Sequence, residues 1–387
     1  MTRAALILFD DDDPAAPILG VSWPEFRVRQ AVRAGAVHLV VVAGRITPQI
    51  VAAIDWAKGA GVSAVLARIA IEIADLFHPD ETVLLMSGAA IVDEQRTVAL
   101  MNAEKPTLLC VSADADPAWE LIDARARWTG FARLDGAQVR STAAMVGDWD
   151  LGSTLLRQAV GSNAERIILD AGDPLWRGDD EHDRALAARE ITNDALAESC
   201  GWASRWIVIP TVRLAGNVVT DHLAAIARFS PWIAAIPLTA AIGFAWCKWP
   251  VLAALLLLIG FIADAFGQLS ERATGQVPKL AFWRGRVLYA AAVVALAGLL
   301  IPPLADRASL VLAVVLLIVT VLFQRLPHTG DDPSWLADVP GYVVIVGVAS
   351  LFGFAGFTAG LMIAAIHAFV SLAWLQNRLS RALTQAR

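Results

Sequence analysis

The chain has 387 residues, 57% of them hydrophobic and only 18% charged, with a mean hydropathy of +0.57. Soluble domains carry about 25% charged residues, so this composition excludes a disordered protein and a nucleic-acid binder and argues against an ordinary cytosolic enzyme. The net charge of −6 is unevenly spread: from Ser230 onward 10 Lys/Arg face 6 Asp/Glu, giving +4, and the residues before it carry −10. An acidic soluble half joined to a sparse, slightly basic, apolar half is the composition of a cytosolic domain fused to a membrane domain. Three widely spaced cysteines without a Cys-x-x-Cys argue against a disulfide framework or a zinc site. The short apolar run Ala4–Phe9 is stopped at once by Asp10–Asp13 and does not make a signal peptide, so the front domain is expected in the cytoplasm.

Along residues 1–198, apolar runs alternate with helical patterns. Ala5–Phe9, the β-branched Val37–Ala43, Val62–Leu66, Val83–Met86 and Thr107–Val111 read as strands. Glu25–Ala34, Pro48–Gly59 and Ile69–Leu76 read as helices. This alternation predicts an α/β domain with a mainly parallel sheet and helices on both faces. Ligands of such sheets sit at the strands' carboxyl ends, here the loops Phe9–Gly20, Ala43–Thr47 and Ser87–Asp93. Nucleotide-binding folds place a Gly-rich loop after the first strand, where backbone N–H groups approach phosphates. This chain has four aspartates there, Asp10–Asp13, which either form a solvated loop or hold a cation, and which repel phosphate. The stretch Gly147–Thr154 reads as a helix-entry loop with Asp150 or Ser153 near the cap, or as the lining of a sugar pocket.

Residues 199–230 interleave Trp202, Trp206, Ile207 and Ile209 with Arg205, Arg213 and Arg228, the pattern of an interfacial amphipathic segment or else a linker, with Pro210 breaking or starting a helix. Six apolar stretches follow: Trp232–Trp246, Val251–Phe266, Val287–Leu304, Leu310–Phe323, Val339–Phe352 and Ala355–Trp374. They predict an all-α, six-span membrane domain over 231–377, with a tail over 378–387, although several are shorter than the ~20 residues of a straight span. Tryptophans cluster at their ends, and Cys247-Lys248-Trp249-Pro250 reads as a tight turn at the interface. Arg272, Lys279, Arg284, Arg286, Arg325, Arg378, Arg381 and Arg387 lie on one side, against Lys248 and Arg307 on the other. The positive-inside rule then places both termini in the cytoplasm and the chain in the inner (cytoplasmic) membrane.

Three segments carry a resemblance in the front half: Phe26–Ala36 leading into Val37-His38-Leu39-Val40-Val41-Val42-Ala43-Gly44, Leu84-Leu85-Met86-Ser87-Gly88-Ala89, and Trp128–Ala132 through to Leu169–Pro174. With the strand order, they resemble the sugar-phosphate and inositol-phosphate nucleotidyltransferases of the glycosyltransferase-A-like fold. The resemblance implies nucleotide binding at Gly88 and at Asp170 or Asp173. It also expects a Gly-x-Gly-Thr-Arg loop, absent here, and a metal-ligating Asp after Gly88, where this chain has Ala89.

The back half resembles the CDP-alcohol phosphotransferases, in its six-span layout, in Gly201-Trp202-Ala203-Ser204-Arg205, and in Arg272-Ala273-Thr274-Gly275-Gln276. That family's signature, D-x-x-D-G-x-x-A-R-x8-G-x3-D-x3-D, holds two divalent cations on a pyrophosphate. Laid on this chain it keeps Asp264 and Arg272. Gly267, Gln268 and Glu271 stand for its second Asp, its Gly and its Ala, and Ala281, Gly285 and Tyr289 for the later Gly and two Asp. The pair of domains resembles the bifunctional proteins that make a CDP-activated polyol phosphate and transfer it to an alcohol. The resemblance implies Asp264 as metal ligand, Asp264 and Arg272 as remnant catalytic residues, Mg²⁺ or Mn²⁺ as cofactor if the chain is active, and a CDP-alcohol or nucleotide together with membrane lipids as partners. The eroded motif leaves two readings, an enzyme with an altered site or a non-catalytic scaffold or regulatory partner.

Asp264 with Arg272 also reads as a charge pair at the inner membrane surface. His367 inside the last span reads as a helix-packing residue or a proton relay, and Asp331–Asp332 with His328 as a solvated turn. Gly353, Gly356 and Gly360 form a small-residue helix contact, with a homodimer through the membrane domain as one use of it.

Overall fold

The computed structural model describes residues 2–10, 13–146, 150–170, 172–196, 201–219, 222–275, 290–296, 307–324 and 333–385. They divide into two compact units, one built on Met1–Ile191 and one on Thr192–Ala273 and the residues from Pro278 on.

In chain order the first unit contains β1 (Arg3–Phe9), α1 (Trp23–Arg33), β2 (His38–Ala43), α2 (Pro48–Gly59), β3 (Ser63–Ala67), β4 (Thr82–Met86), β5 (Ala90–Val92), α3 (Glu94–Met101), β6 (Thr107–Ser112) and β7 (Glu120–Leu121). There follow β8 (Ala126–Asp135), α4 (Gly136–Met145), α5 (Leu151–Gly161), β9 (Glu165–Leu169), β10 (Leu175–Arg177) and α6 (Glu181–Leu196). The main sheet runs β3-β2-β1-β4-β8-β6-β9, with β7 beside β8, and β5 pairs with β10 in a small second sheet. Pairs among β1 to β4 are parallel, as is β6 with β9, whereas β8 runs antiparallel to both β4 and β6. The sheet is therefore mixed, and β8 is a strand the sequence pattern did not reveal.

Alternation along β1 sends Leu6 and Leu8 to one face and Ala5, Ile7 and Phe9 to the other, and all are buried. The first face packs on Val139 and Ala143 of α4 and Leu155 and Leu156 of α5. On the other side α1 lies against β1 and α3 against β4. Each fully buried Leu or Ile contributes roughly 1.5–3 kcal/mol, and this two-sided burial holds the β1 and β4 ends in place. α2 starts where Thr47 accepts the Ile50 N–H at 3.3 Å with Pro48 in the first turn, and stops before Gly61 at φ +86°. The helix expected over Ile69–Leu76 shrinks to a 3₁₀ turn, Ala70–Ile73. Glu72 there turns back to the Arg68 N–H at 2.7 Å, and Ile69 and Ile71 stay exposed, so no apolar stripe sustains a helix.

The second unit is helical. A π-turn (Ser204–Val208) leads into α7 (Ile209–Val218), α8 (Leu223–Trp246), α9 (Pro250–Thr274), a helical stretch over 290–296, α10 (Arg307–Gln324), α11 (Val339–Ala349) and α12 (Gly353–Gln385). Two apolar helices, Pro250–Thr274 and Ala355–Ser380, are long enough to cross a membrane, and Trp232–Trp246, Ala308–Leu322 and Val339–Phe352 are shorter apolar segments. Leu255, Ile259, Leu310, Ile318, Ile363, Ile366 and Phe369 point outward, an apolar exterior that suits lipid as solvent. Most of the expected third span lies outside the described residues. Pro210 starts α7, and Trp206 and Leu214 are each 69% exposed on this stretch. Lys248 adopts φ +65° in the tight turn between α8 and α9.

Asp338 ties this unit together. One carboxylate oxygen accepts the Gly341 N–H at 2.9 Å, capping α11, and the other accepts the Ser204 N–H at 2.7 Å. Gly201 at φ +115° lets the backbone pass, since a Cβ there would lie 2.4 Å from the Asp338 side chain. Gly356 and Gly360 likewise allow close approach within the chain, because Cβ atoms on them would meet Ala349 and Val346 at 3.1 Å or less.

Candidate functional site

The chain leaves β1 toward β2 and β3 on one side and returns to β4 on the other. The carboxyl ends of β1 and β4 therefore flank a topological switch point, the usual crevice for a ligand. Gly88 follows β4 at φ +66°, in a turn that leads to β5. Beneath it Arg27 is 1% exposed, stacked over the rings of Trp23 (4.7 Å) and Phe131 (4.8 Å). Its Nη2 donates to the carbonyls of Gly88 and of Ser87, the latter at 3.3 Å, while Nη1 is buried without a partner. Burial pulls this guanidinium down to about 10, against the opposing field of Asp13, so it stays cationic at neutral pH. Gly88 is thus committed to shaping a turn around a buried arginine. Asp10 and Asp13 bond within their own loop, the Asp10 N–H to the Asp13 carboxylate at 3.0 Å, and Asp11 and Asp12 lie outside the described residues. Asp150 caps α5 by accepting the Ser153 N–H at 2.6 Å, and a Cβ on Gly152 would stand 3.3 Å from the Ser87 Oγ. Residues 147–149 of that expected pocket loop are outside the described set.

Asp170 and Asp173 close a turn after β9. The Asp170 N–H donates to the Asp173 carboxylate at 2.8 Å, and the Asp173 N–H to the Asp170 carbonyl at 3.0 Å. Asp173 also receives Arg96 Nη2 at 2.6 Å, and Arg96 Nη1 reaches Asp93 at 2.6 Å, while Asp93 caps α3 through the Arg96 N–H at 2.8 Å. One guanidinium thus bridges two carboxylates, one of them Asp173, which the resemblance assigns to nucleotide binding. Such a bridge suits a structural clamp, since each carboxylate receives one charge-assisted hydrogen bond from the shared guanidinium.

In the second unit Asp264 is 3% exposed on α9 and accepts the Gln268 amide at 2.6 Å. Glu271 is buried two turns further on, nearly on the same face, and Arg272 next to it is exposed. Gly267, at the position of the second family aspartate, offers no ligand. Ala281, Gly285 and Tyr289, the rest of the motif, lie outside the described residues. Among the described residues no three His, Cys, Asp or Glu side chains converge to hold a metal ion.

His367 Nε2 bonds the Trp335 carbonyl at 2.8 Å, a helix-packing contact. His328, Asp331 and Asp332 lie outside the described residues. Sequence reasoning missed Arg27, Arg96 and Asp338. The only available signal was Asp93-Glu94-Gln95-Arg96, an aspartate before a helix with an arginine three residues on. No protein-family model matches the chain, and no curated protein matches it.

Proposed function

We propose that this chain is a membrane protein of the phospholipid or polyol-phosphate head-group transferase type whose catalytic sites are impaired. An α/β unit followed by apolar helices, with Asp264 and Arg272 near the end of α9, supports the type. The observation that carries the impairment is the Arg96 guanidinium between Asp93 and Asp173. In this reading the α/β unit lies in the cytoplasm and both termini face it, in keeping with the basic residues of the loops.

The same clamp favours a second reading, a non-catalytic scaffold or regulatory partner of an active enzyme of that chemistry. The test uses the full chain in detergent micelles, incubated with labelled CMP and a panel of CDP-alcohols in Mg²⁺ or Mn²⁺. Exchange that disappears in Asp264→Asn supports a residual transferase and rejects the scaffold. Absence of exchange with every CDP-alcohol rejects the enzyme and leaves the partner role.

A further inference from the structure

The helical unit carries an open pocket of about 470 Å³ between α9, the 290–296 helix, α10, α11 and α12, with the half-exposed Val293, Leu317 and Val321 at its mouth. Its wall is apolar, with Leu257, Leu316, Val321 and Val346 typical of it, and no charged side chain lines it. Two hydroxyls break the pattern, those of Thr320 and Tyr342. Thr320 is spent on the Leu316 carbonyl at 2.6 Å. Tyr342 is 6% exposed, and its hydroxyl, beside Thr320, has no hydrogen bond of ordinary geometry. Its one polar neighbour is the Thr320 hydroxyl, which is already committed to a carbonyl; a buried hydroxyl so poorly satisfied costs about 1–3 kcal/mol, so a ligand acceptor placed here would complete it.

Position identifies the ligand. Thr320 lies one turn before the end of α10, and Tyr342 lies in the first turn of α11 behind its Asp338 cap. These are consecutive segment ends in the chain and both residues line the pocket, so the two hydroxyls sit at the same end of it, where the apolar segments begin and end. Lipid ester groups lie at that depth, and acyl chains lie below it. The volume falls within the ordinary range for a bound small molecule, roughly 300–1,000 Å³, and suits one hydrocarbon chain rather than a whole lipid. An apolar wall offers nothing to water or to a charged metabolite.

We propose that this cavity takes one acyl chain of a bilayer phospholipid, with the Tyr342 hydroxyl donating to the lipid's ester carbonyl. The inference rests on the membrane placement of the helices and is independent of any transferase activity. The full chain is reconstituted in nanodiscs of phosphatidylcholine and phosphatidylglycerol that contain a phospholipid with a diazirine on its acyl chain. After irradiation, peptide mass spectrometry locates the adducts. Label concentrated on Leu316, Thr320, Val321 and Val339–Val346 is expected. In Val321→Trp, a half-exposed position where a large ring fills the cavity, that label falls about tenfold, while label on the outward Ile363, Ile366 and Phe369 is unchanged. In Tyr342→Phe it falls about threefold. Circular dichroism and elution volume report that both variants are folded. Label spread evenly over outward and cavity residues and insensitive to Val321→Trp overturns the proposal, and label indifferent to Tyr342→Phe overturns the ester contact.

Discussion

Two glycines in the β4–β8 corner make a paired test of the geometry at the crevice. Gly130 sits in β8 at φ +92°, and its carbonyl accepts the Ser87 N–H at 2.9 Å. A Cβ at Gly130 would stand 2.0 Å from the Ser87 carbonyl oxygen and 3.0 Å from its carbon. Neither atom belongs to a flexible side chain, so the strands must part. Left-handed backbone costs an alanine roughly 1–2 kcal/mol and overpacking typically adds 1–3 kcal/mol, so Gly130→Ala is expected to lose about 2–5 kcal/mol. Gly88 lies across the same corner at φ +66°, but a Cβ there meets nothing within 4 Å. Gly88→Ala therefore carries only the backbone cost, about 1–2 kcal/mol. At about 2–4 °C per kcal/mol, Gly130→Ala lowers the melting temperature by about 10 °C and Gly88→Ala by about 4 °C. The measurement is limited proteolysis of the full chain in micelles along a temperature ramp, following peptides of the α/β unit. Equal losses for the two variants, or a larger loss for Gly88→Ala, would refute the close approach of β8 to Ser87.

Arg96→Gln removes the cation that Asp93 and Asp173 share and leaves them only their backbone N–H donors, costs about 1–3 kcal/mol, and gives the protein a thermal stabilisation by Mn²⁺ that the native chain lacks. A native chain that gains as much from Mn²⁺ contradicts the clamp. Burial pushes the Cys110 thiol up to about 11, so the folded state holds this proton more tightly than the unfolded one. Stability is then constant below the ordinary thiol range of about 8.5 and falls as pH rises from there toward the folded value. Iodoacetamide at pH 8.5 is expected to alkylate the exposed Cys247 and to spare Cys110 until guanidinium is added, and equal labelling without denaturant contradicts the burial. Asp338→Ala removes the acceptor for Gly341 and Ser204 and is expected to cost about 1–2 kcal/mol for each amide, read as a lower melting temperature in micelles. A change near zero would mean the tie carries no weight.

Continuous β-branched runs such as Val37–Ala43 and punctuated helices such as Pro48–Gly59 were legible because their signals are local. The β8 strand was not: Arg127, Gly130 and Arg133 interrupt its apolar run, and its reason for being a strand is the pair of edges it fills, β4 and β6. In the site, Asp93 as a helix cap was readable in principle, but its tie through Arg96 to Asp173 spans 77 residues of sequence. A guanidinium bridging distant acids has no short-range signature. Arg27 looked like one basic residue among three on α1, and only the rings of Trp23 and Phe131 set it apart. The two long apolar helices were plain from hydropathy, whereas the buried Tyr342 hydroxyl depends on which helices surround it.

The reversed strand also orders events on the ribosome. β1 to β4 are complete once residue 86 has emerged, but the free edge of β4 waits for β8, whose first residue is 126. At about 5–20 residues per second, the nascent chain carries a half-finished sheet for roughly 2–8 s. Through that interval an uncovered row of amides and carbonyls invites strand exchange with neighbouring chains, so holdase chaperones are expected to engage this protein well before its first apolar helix reaches the insertion machinery.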